Sequence, residues 1–312
     1  MKLITEHIVY TLQIPNIGKK TAFKIFMLYD EKAIKSDSDL TAFLLALSKR
    51  SKISKALKSI DINIIERAIE IGKDILRKSN DNNINIISFF DEDYPERLKL
   101  QIDRPVIINY KGDIKKLSLR KICIIGARES LNNSNDIAFK ISKFFGEKGI
   151  NVVSGLAKGC DTFAHKGSIN TKGKTTAVLG CALDEIYPRE NEYLVNDIIK
   201  NGGLIISEYL IGSKTLRSNF VVRDKLQSMI SDCILVIQSK IDGGSMHAAK
   251  HAFKNRTLIA AIENEDNLFS GNIELIKNYN AIPIKTSEMD VLYKSFVDNL
   301  NKTNSSKQVE LF

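Results

Sequence analysis

Residues 152–165 read VVSGLAKGCDTFAH. Two β-branched residues lead into a glycine-rich loop, and Asp161 stands where a helix cap is expected. That is the layout of an anion-holding loop: glycines let backbone N–H groups approach a phosphate, and a helix N-terminus adds partial positive charge. The spacing is neither G-x-G-x-x-G nor G-x-x-x-x-G-K-[ST], so neither a dinucleotide nor a Mg²⁺–nucleotide is prescribed. Ser154, Asp161 and His165 have the residue types of an acyl-transfer triad, but their spacing argues against one. Asp161 and His165 lie four apart at one helix start, and no G-x-S-x-G elbow holds Ser154. Asp161 is read as an N-cap and His165 as a packed or anion-facing imidazole. His247 and His251 stand at i, i+4 without the Glu of H-E-x-x-H or a third ligand, so no metal is expected. No paired carboxylates or activated thiol stand out. These residues can hold a ligand; neither a catalytic group nor a cofactor is expected.

The elements that position this loop are legible from residue 121 onward. KICIIG, INVVSG, TTAVLG, GLIISE, CILVIQ, TLIAAI and AIPI are short apolar runs, mostly separated by helical stretches. Near-continuous apolar strands are buried on both faces, and β-α-β alternation gives a parallel sheet with helices on both sides. Ligands of such sheets bind beyond the carboxyl ends of the strands. The loops there are GARES (126–130), SGLAKGCD (154–161), EYLIGSKTLRSNF (208–220) and QSKIDGGS (238–245). They carry Arg128, Lys158, Lys214, Arg217 and Lys240, with Gly243, Gly244 and Ser245 opening a helix. Several glycine-rich, cationic loops on one rim point to an extended anionic ligand; ordinary tight β-α turns are the structural alternative.

Upstream, HIVYTLQI, GKKTAFKIFMLY, LTAFLLALSKR and INIIERAIEIGKDILRK have helical spacing of apolar residues. The expected organisation is a small all-helical domain over 1–80, an α/β domain of mostly parallel sheet over 84–290, and a polar tail over 299–312. INIISFFDEDYPERL gives a strand, a turn and a short helical piece, and RPVIINYKGD an extended segment. A last helix is expected at 291–298. The 46 Lys and Arg against 37 Asp and Glu leave a net charge of +9, which favours a polyanionic partner, nucleic acid first. A coding bias toward Lys, Asn and Ile would give the same balance. The four cysteines are scattered without a C-x-x-C pair, as in a reducing compartment. No signal peptide or membrane-length apolar stretch is present, so a cytoplasmic location is expected.

Taken in order, IIGARE, VVSGLAKGCDTFAHKGSI, TTAVLGCALDEIYPRENEYLVNDIIKNGGLIISEY and SNFVVRDKLQSMISDCILVIQSKIDGGSMHAAKHAFKN resemble successive blocks of the DNA-processing protein A (DprA/Smf) family. ISFFDEDYPERLKLQIDRPVIINYKGD also matches, so the resemblance covers roughly residues 84–285. It implies an extended Rossmann-like fold and a non-enzymatic mediator. Such a mediator binds single-stranded DNA, displaces single-strand-binding protein and loads a RecA-type recombinase, in DNA uptake, natural transformation or recombination. It also implies a homodimer. On this resemblance Arg128 clamps a phosphate, Arg217 is the basic residue before the base-contacting Phe220, and Arg223 follows it. Ser154, Gly155, Lys158, Lys214, Lys225, Gly243, Gly244 and Ser245 complete the expected DNA-binding set. Cations that track the backbone beside an aromatic face that stacks on a base suit single strands; a core role is the alternative for Phe220.

Two departures stand out. The family's Phe-Pro-x-Arg-Asn-Arg is FVVRDKL here, and its Ser-Leu-x-Thr-Ala is SMHAA. Asp224 thus brings a carboxylate to an anion site unless Arg223 or Lys225 pairs with it, and its removal is expected to tighten DNA binding. The family's winged-helix-like C-terminal domain is expected to be absent. LQIPNIGKKTAFKIF resembles a helix-hairpin-helix, whose turn amides hold a DNA phosphate; Gly18, Lys19 and Lys20 are its candidate contacts, with Asn16 in a left-handed position. KRSKISKALK (49–58) adds five positive charges. A small docking domain with a solvated basic face is the alternative. The terminal QVELF resembles peptides that dock on the bacterial sliding clamp through Gln308, Leu311 and Phe312; packing of Leu311 and Phe312 onto the body is the alternative. Two other functions remain. A phosphoribohydrolase-like nucleotide enzyme would need a Pro-Gly-Gly-x-Gly-Thr loop and a Glu that IDGGSMHAA lacks. A defence or mobile-element scaffold would keep the fold and change its partner.

Overall fold

Four amphipathic α-helices come first: α1 (Leu3–Thr11), α2 (Lys19–Phe26), α3 (Asp37–Arg50) and α4 (Ile62–Asp81). They are seen in a computed structural model that describes residues 1–50 and 55–298. The Asp61 carboxylate caps α4 by accepting the Ile64 N–H at 2.9 Å. Gly72 of α4 lies directly on Tyr10 of α1, where a Cβ would collide with the Tyr10 ring and backbone, so only glycine lets these helices approach. The apolar faces meet through Ile8, Ile25, Phe26, Leu40, Leu44 and Ile65. This core does not close on itself. Ile86, Val106, Ile107 and Leu210 from the following α/β body complete it, and Thr5 reaches Ser88 at 2.7 Å and Asp91 at 2.6 Å.

The body begins with β1 (Asn85–Ser88), α5 (Glu96–Lys99) and β2 (Ile107–Gly112). It continues with β3 (Lys121–Ile125), α6 (Asn132–Glu147), β4 (Asn151–Ser154), α7 (Cys160–Ser168), β5 (Thr175–Leu179), α8 (Glu192–Lys200) and β6 (Leu204–Ser207). Then follow α9 (Arg217–Ile230), β7 (Cys233–Val236), α10 (Ser245–Lys254), β8 (Leu258–Ile262), α11 (Ser270–Asn278) and β9 (Ile282–Ile284). A last helix, α12, occupies 289–298. All nine strands form one sheet in the order β1-β2-β6-β5-β4-β3-β7-β8-β9. β1–β2 and β2–β6 pair antiparallel; every other pair is parallel.

Side chains alternate between the two faces of each strand, and both faces are covered. Cys123, Val153, Val178 and Ile234 pack with Leu226 and Ile230 of α9 and Ala248 of α10. Ile122, Ile124, Val152 and Leu235 pack with Ile141 and Phe145 of α6, Ala164 of α7 and Phe296 of α12. Burial on both sides is why β3, β4, β5 and β7 are mostly apolar, and the polar side chains of Asn151, Ser154, Thr175 and Thr176 are each hydrogen-bonded. The extended Rossmann-like, mostly parallel fold with a helical N-terminal region is as the sequence implies. The four cysteines are free and buried, with burial holding their thiols above the usual range. No helix among the described residues is long and apolar enough to cross a membrane.

Candidate nucleic-acid interface

From β3 the chain runs outward to β4, β5 and β6, then returns to place β7 on the other side of β3. The loops after β3 and β7 therefore diverge, and a cleft opens between them, as expected at a topological switch point. It holds about 560 Å³ and is lined by Arg128, Asp161, Asp224, Gln238, Gly243 and Ser245, among others. Its lips are fixed. Gln238 accepts the Leu131 N–H at 3.0 Å and joins one lip to the other. Asn272, fully buried, accepts from Ser239 N–H at 2.9 Å and donates to the carbonyls of Ile237 and Ile262 at 3.1 and 2.9 Å. Ser245 donates to Ser239 Oγ at 3.0 Å at the start of α10.

The glycine-rich loop after β4 borders both recesses, but two of its amides are filled from within. Asp161 is not the N-cap of α7; Gly159 is, at φ +70°. The Asp161 carboxylate instead folds back and accepts the N–H groups of Gly155 and Ala157 at 3.1 and 3.3 Å. The amides that would cradle a phosphate are thus held by an internal anion. Arg223 completes the arrangement from α9. It is 6% exposed, donates to the carbonyl oxygens of Gly155 and Val178, and pairs with Asp224 at 2.9 Å. Burial pushes the Asp161 pKa up to about 6, against the pull of the Arg223 guanidinium. Asp224 is likewise raised by burial and lowered by Arg223. Ser154 is buried and donates to the Ile124 carbonyl at 2.7 Å. His165 is buried against Thr175 Oγ1 at 2.7 Å, and burial lowers its pKa to about 3, so it stays neutral. The triad is not built. Ser154, expected as a DNA contact, is buried with its hydroxyl committed to the Ile124 carbonyl, whereas Gly155 and Arg223 brace the loop and also line the open recess beside it.

Beside the sealed loop lies an open cluster. Phe220 projects from α9 and rests against Gly180, where a Cβ would come within 2.8 Å of the ring. The Arg128 guanidinium sits 5.7 Å from the ring centroid, and the Tyr187 ring 5.3 Å away at 53°. Gly155, Ala157 and Lys158 of that loop line a shallow pocket of about 60 Å³ together with Arg128, Tyr187, Pro188, Phe220 and Arg223. Phe220 is half-buried, whereas Arg128 and Tyr187 are exposed. Lys158 pairs with Glu190 at 2.6 Å, but both side chains are mostly exposed, so the pair is weak and separable. Lys214 and Arg217 are exposed and have no ion pair among the described residues. Tyr187 comes from the loop after β5, which carries no Gly-rich helix start. The same loop supplies Asn191, which holds the carbonyls of Leu156 and Ala157 at 2.8 and 3.3 Å.

Three other expectations are placed elsewhere. Lys225 lies with Val221 on the opposite side of α9, in a separate groove, and does not join Arg128. Asn16 does adopt the left-handed conformation, at φ 63°, and the turn that follows leads into α2, whose first two lysines reach carboxylates of the body. Lys19 is 2.7 Å from the buried Glu208 and 4.7 Å from the Tyr209 ring centroid, and Lys20 is 2.8 Å from Asp103. Lys19 thus ties the helical region to the body, while Gly18 and Lys20 stay exposed. Residues 51–54 of the basic stretch, and Gln308, Leu311 and Phe312, lie outside the described residues. His251 Nδ1 meets Ser228 Oγ at 3.2 Å, and no group of metal-ligating side chains occurs among the described residues.

A family model described as DNA recombination-mediator protein A matches residues 85–295, which span all nine strands and the cleft. The chain belongs to that family. It is 33% identical to DNA processing protein DprA of Streptococcus pneumoniae over 207 residues, covering 66% of this chain and 72% of that protein. It is 32% identical to the Bacillus subtilis protein of the same name, covering 65% and 69%. A solved structure of DNA processing protein A from Helicobacter pylori, described for its single-stranded DNA binding mode, matches at a TM-score of 0.62 and 27% identity, over 68% of this chain and 96% of that one. The Streptococcus pneumoniae structure matches in fold at a TM-score of 0.74 and 24% identity, over 94% and 98%, so the fold likeness extends into the helical N-terminal region.

Proposed function

We propose that this protein binds single-stranded DNA with little sequence preference across the Arg128–Phe220–Tyr187 rim and acts as a recombination mediator that passes the strand to a RecA-type recombinase. The observation that carries the reading is Phe220 held half-exposed between Arg128 and Tyr187. An aromatic face stacks on any base, while cations follow the phosphates; each stacked base contributes about 1–3 kcal/mol. A duplex keeps its bases stacked inside and offers nothing to that ring. Arg217 and Lys214 extend the cationic rim. The family membership and the binding mode named for the Helicobacter pylori protein support the same conclusion. We infer binding and not turnover, since Asp161 and Asp224 are both committed to internal partners. Displacement of single-strand-binding protein, a second copy of the chain, and a sliding clamp at Gln308–Phe312 belong to this proposal as partners.

The test is a salt titration of affinity for one oligonucleotide as single strand and as duplex. Single strands should bind more tightly, and log K should fall linearly with log salt at about −0.7 per phosphate contact. Equal affinity for both forms would remove the stacking role of Phe220 and with it the proposed site.

A further inference from the structure

The residues of α9 alternate between two recesses. Phe220, Arg223 and Asp224 face the cleft already described, whereas Val221 and Lys225 face a groove of about 410 Å³ on the other flank of the helix. The far wall of that groove is α10, which presents His247, Lys250, His251 and Lys254. These positions follow i, i+3, i+4, i+7 spacing and so share one helical face. The whole segment 245–256, SMHAAKHAFKNR, contains no acidic residue. A merely solvated helix face usually intersperses both signs.

The groove's lining includes one carboxylate, Asp103, against three lysines and two histidines. That carboxylate is already matched. Lys20, reaching from α2, holds it at 2.8 Å. None of Lys225, Lys250 and Lys254 has an ion pair among the described residues. The groove is therefore a concave surface with uncompensated positive charge, built from the α/β body and rimmed by the helical domain.

It is also continuous with the first site. Phe220 and Lys225 are five residues apart, or about 7.5 Å along the helix axis. Asp224 lines the cleft and its chain neighbour Lys225 lines the groove, so the two recesses flank the same turn of α9. We propose that this α9–α10 groove is a second phosphate-binding track, which takes the single strand onward after it crosses Phe220. Lys250 and Lys254 hold its backbone, Lys225 bridges the ridge, and Asp103, held by Lys20, is the one carboxylate lining it. This rests on the proposed single-strand binding at Phe220 and adds the path and the length of strand engaged. The occupant is a nucleic-acid backbone because the groove adjoins the stacking site; an acidic protein segment is the competing occupant.

The experiment measures affinity of the full chain for oligothymidylates of about 6 and about 24 nucleotides, lengths that fill one site or both. The paired change Lys250→Glu with Lys254→Glu should leave the short oligomer unaffected. It should weaken the long one at least about tenfold and make its salt dependence shallower by about 1.4, for two lost phosphate contacts. Asp103→Asn should tighten the long oligomer only, a gain that misfolding cannot produce. Arg128→Ala should weaken both lengths. If Arg128→Ala changes neither while the paired variant still loses the long oligomer, the first site is wrong and the groove stands. If the paired variant binds both lengths like the parent, the track is overturned, and loss of poly-glutamate binding in that same variant would assign the groove to an acidic protein segment instead.

Discussion

Two places at the carboxyl edge of the sheet carry anion-binding features, and they are used in opposite ways. The loop after β4 has the glycines, the turn and the helix start of a phosphate cradle, yet its amides are filled by Asp161 and its carbonyl is held by Arg223. The rim at Arg128, Tyr187 and Phe220 matches no phosphate motif, yet its cation and rings face outward. The same chemistry, a carboxylate against amides and a guanidinium, makes a rigid support when the anion is internal and a binding site when the anion must come from outside. The sealed loop is what lets the open rim hold still: Arg223 lies 5.9 Å from the Phe220 centroid and anchors the helix that presents it.

The largest effect that sharpens this contrast is expected from Arg223→Ala. It would leave two buried carboxylates without their cation and two carbonyls without a donor. Breaking such a buried pair costs about 3–5 kcal/mol, so thermal and denaturant midpoints should drop sharply. A variant of parental stability that loses only DNA affinity would mean that Arg223 belongs to the open rim after all.

The pH dependence of stability tests the sealed side next. The Asp161 pKa is raised by burial to about 6 in the folded chain, above the ordinary unfolded value near 4. The folded state then binds more protons between these values, so this group's contribution to stability falls as pH rises from about 4 to about 6 and is constant above. The effect is on the order of 3 kcal/mol. Urea midpoints of the parent, compared with Asp161→Asn at several pH values, should show the parent losing ground to the variant across that window. A parent that gains ground instead would place the Asp161 pKa below its unfolded value, with Arg223 outweighing burial.

On the open side, Phe220→Ala should weaken single-strand binding by about 1–3 kcal/mol with the salt slope unchanged, since a stacked base and not a phosphate is lost. Arg128→Ala should instead weaken all sequences alike and flatten the slope by about 0.7. Stability should change far less than for Arg223→Ala in both. If Phe220→Ala flattens the slope, the ring acts by placing Arg128 rather than by stacking.

How much of this was legible follows from the same physics. The strands were readable because burial on both faces keeps β3, β4, β5 and β7 mostly apolar, and helices such as α4 because a buried face imposes the 3.6-residue period. The resemblance located the rim at Arg128 and Phe220. What spacing could not reveal is where a side chain turns: Asp161 could cap forward or fold back onto Gly155, and the choice depends on Arg223, 62 residues away in sequence. Tyr187 escaped notice because its loop, though it opens with Gly180, lacks the glycine-rich helix start used to select loops. The separation of Lys225 from the Phe220 rim was readable in the sequence. Lys225 lies at i+4 from Val221 and not from Phe220, so helical periodicity alone assigns it to the other flank of α9.

The smallest effect concerns Asp224, where the sequence departs from its family and where a repulsive carboxylate was expected to depress DNA binding. Its side chain is 13% exposed, and Arg223 Nε donates to Oδ1 at 2.9 Å. A carboxylate that is already paired and turned inward presents little field to a phosphate on the rim, and solvent screens the remainder. Asn at this position would keep the hydrogen bond and lose the charge. Asp224→Asn should therefore change single-strand affinity by less than about threefold, within the range of surface electrostatic effects. Its readout belongs on the other side of the comparison: with one fewer anion beside Arg223, Asp161 loses a like-charge neighbour, and the pH window of the parent should shift downward in the variant. Anisotropy titrations and urea midpoints on the same preparation separate the two. A tightening of about tenfold or more would show that the Arg223–Asp224 pair opens toward the strand, and that the boundary between the sealed loop and the open rim runs through α9 at a different place.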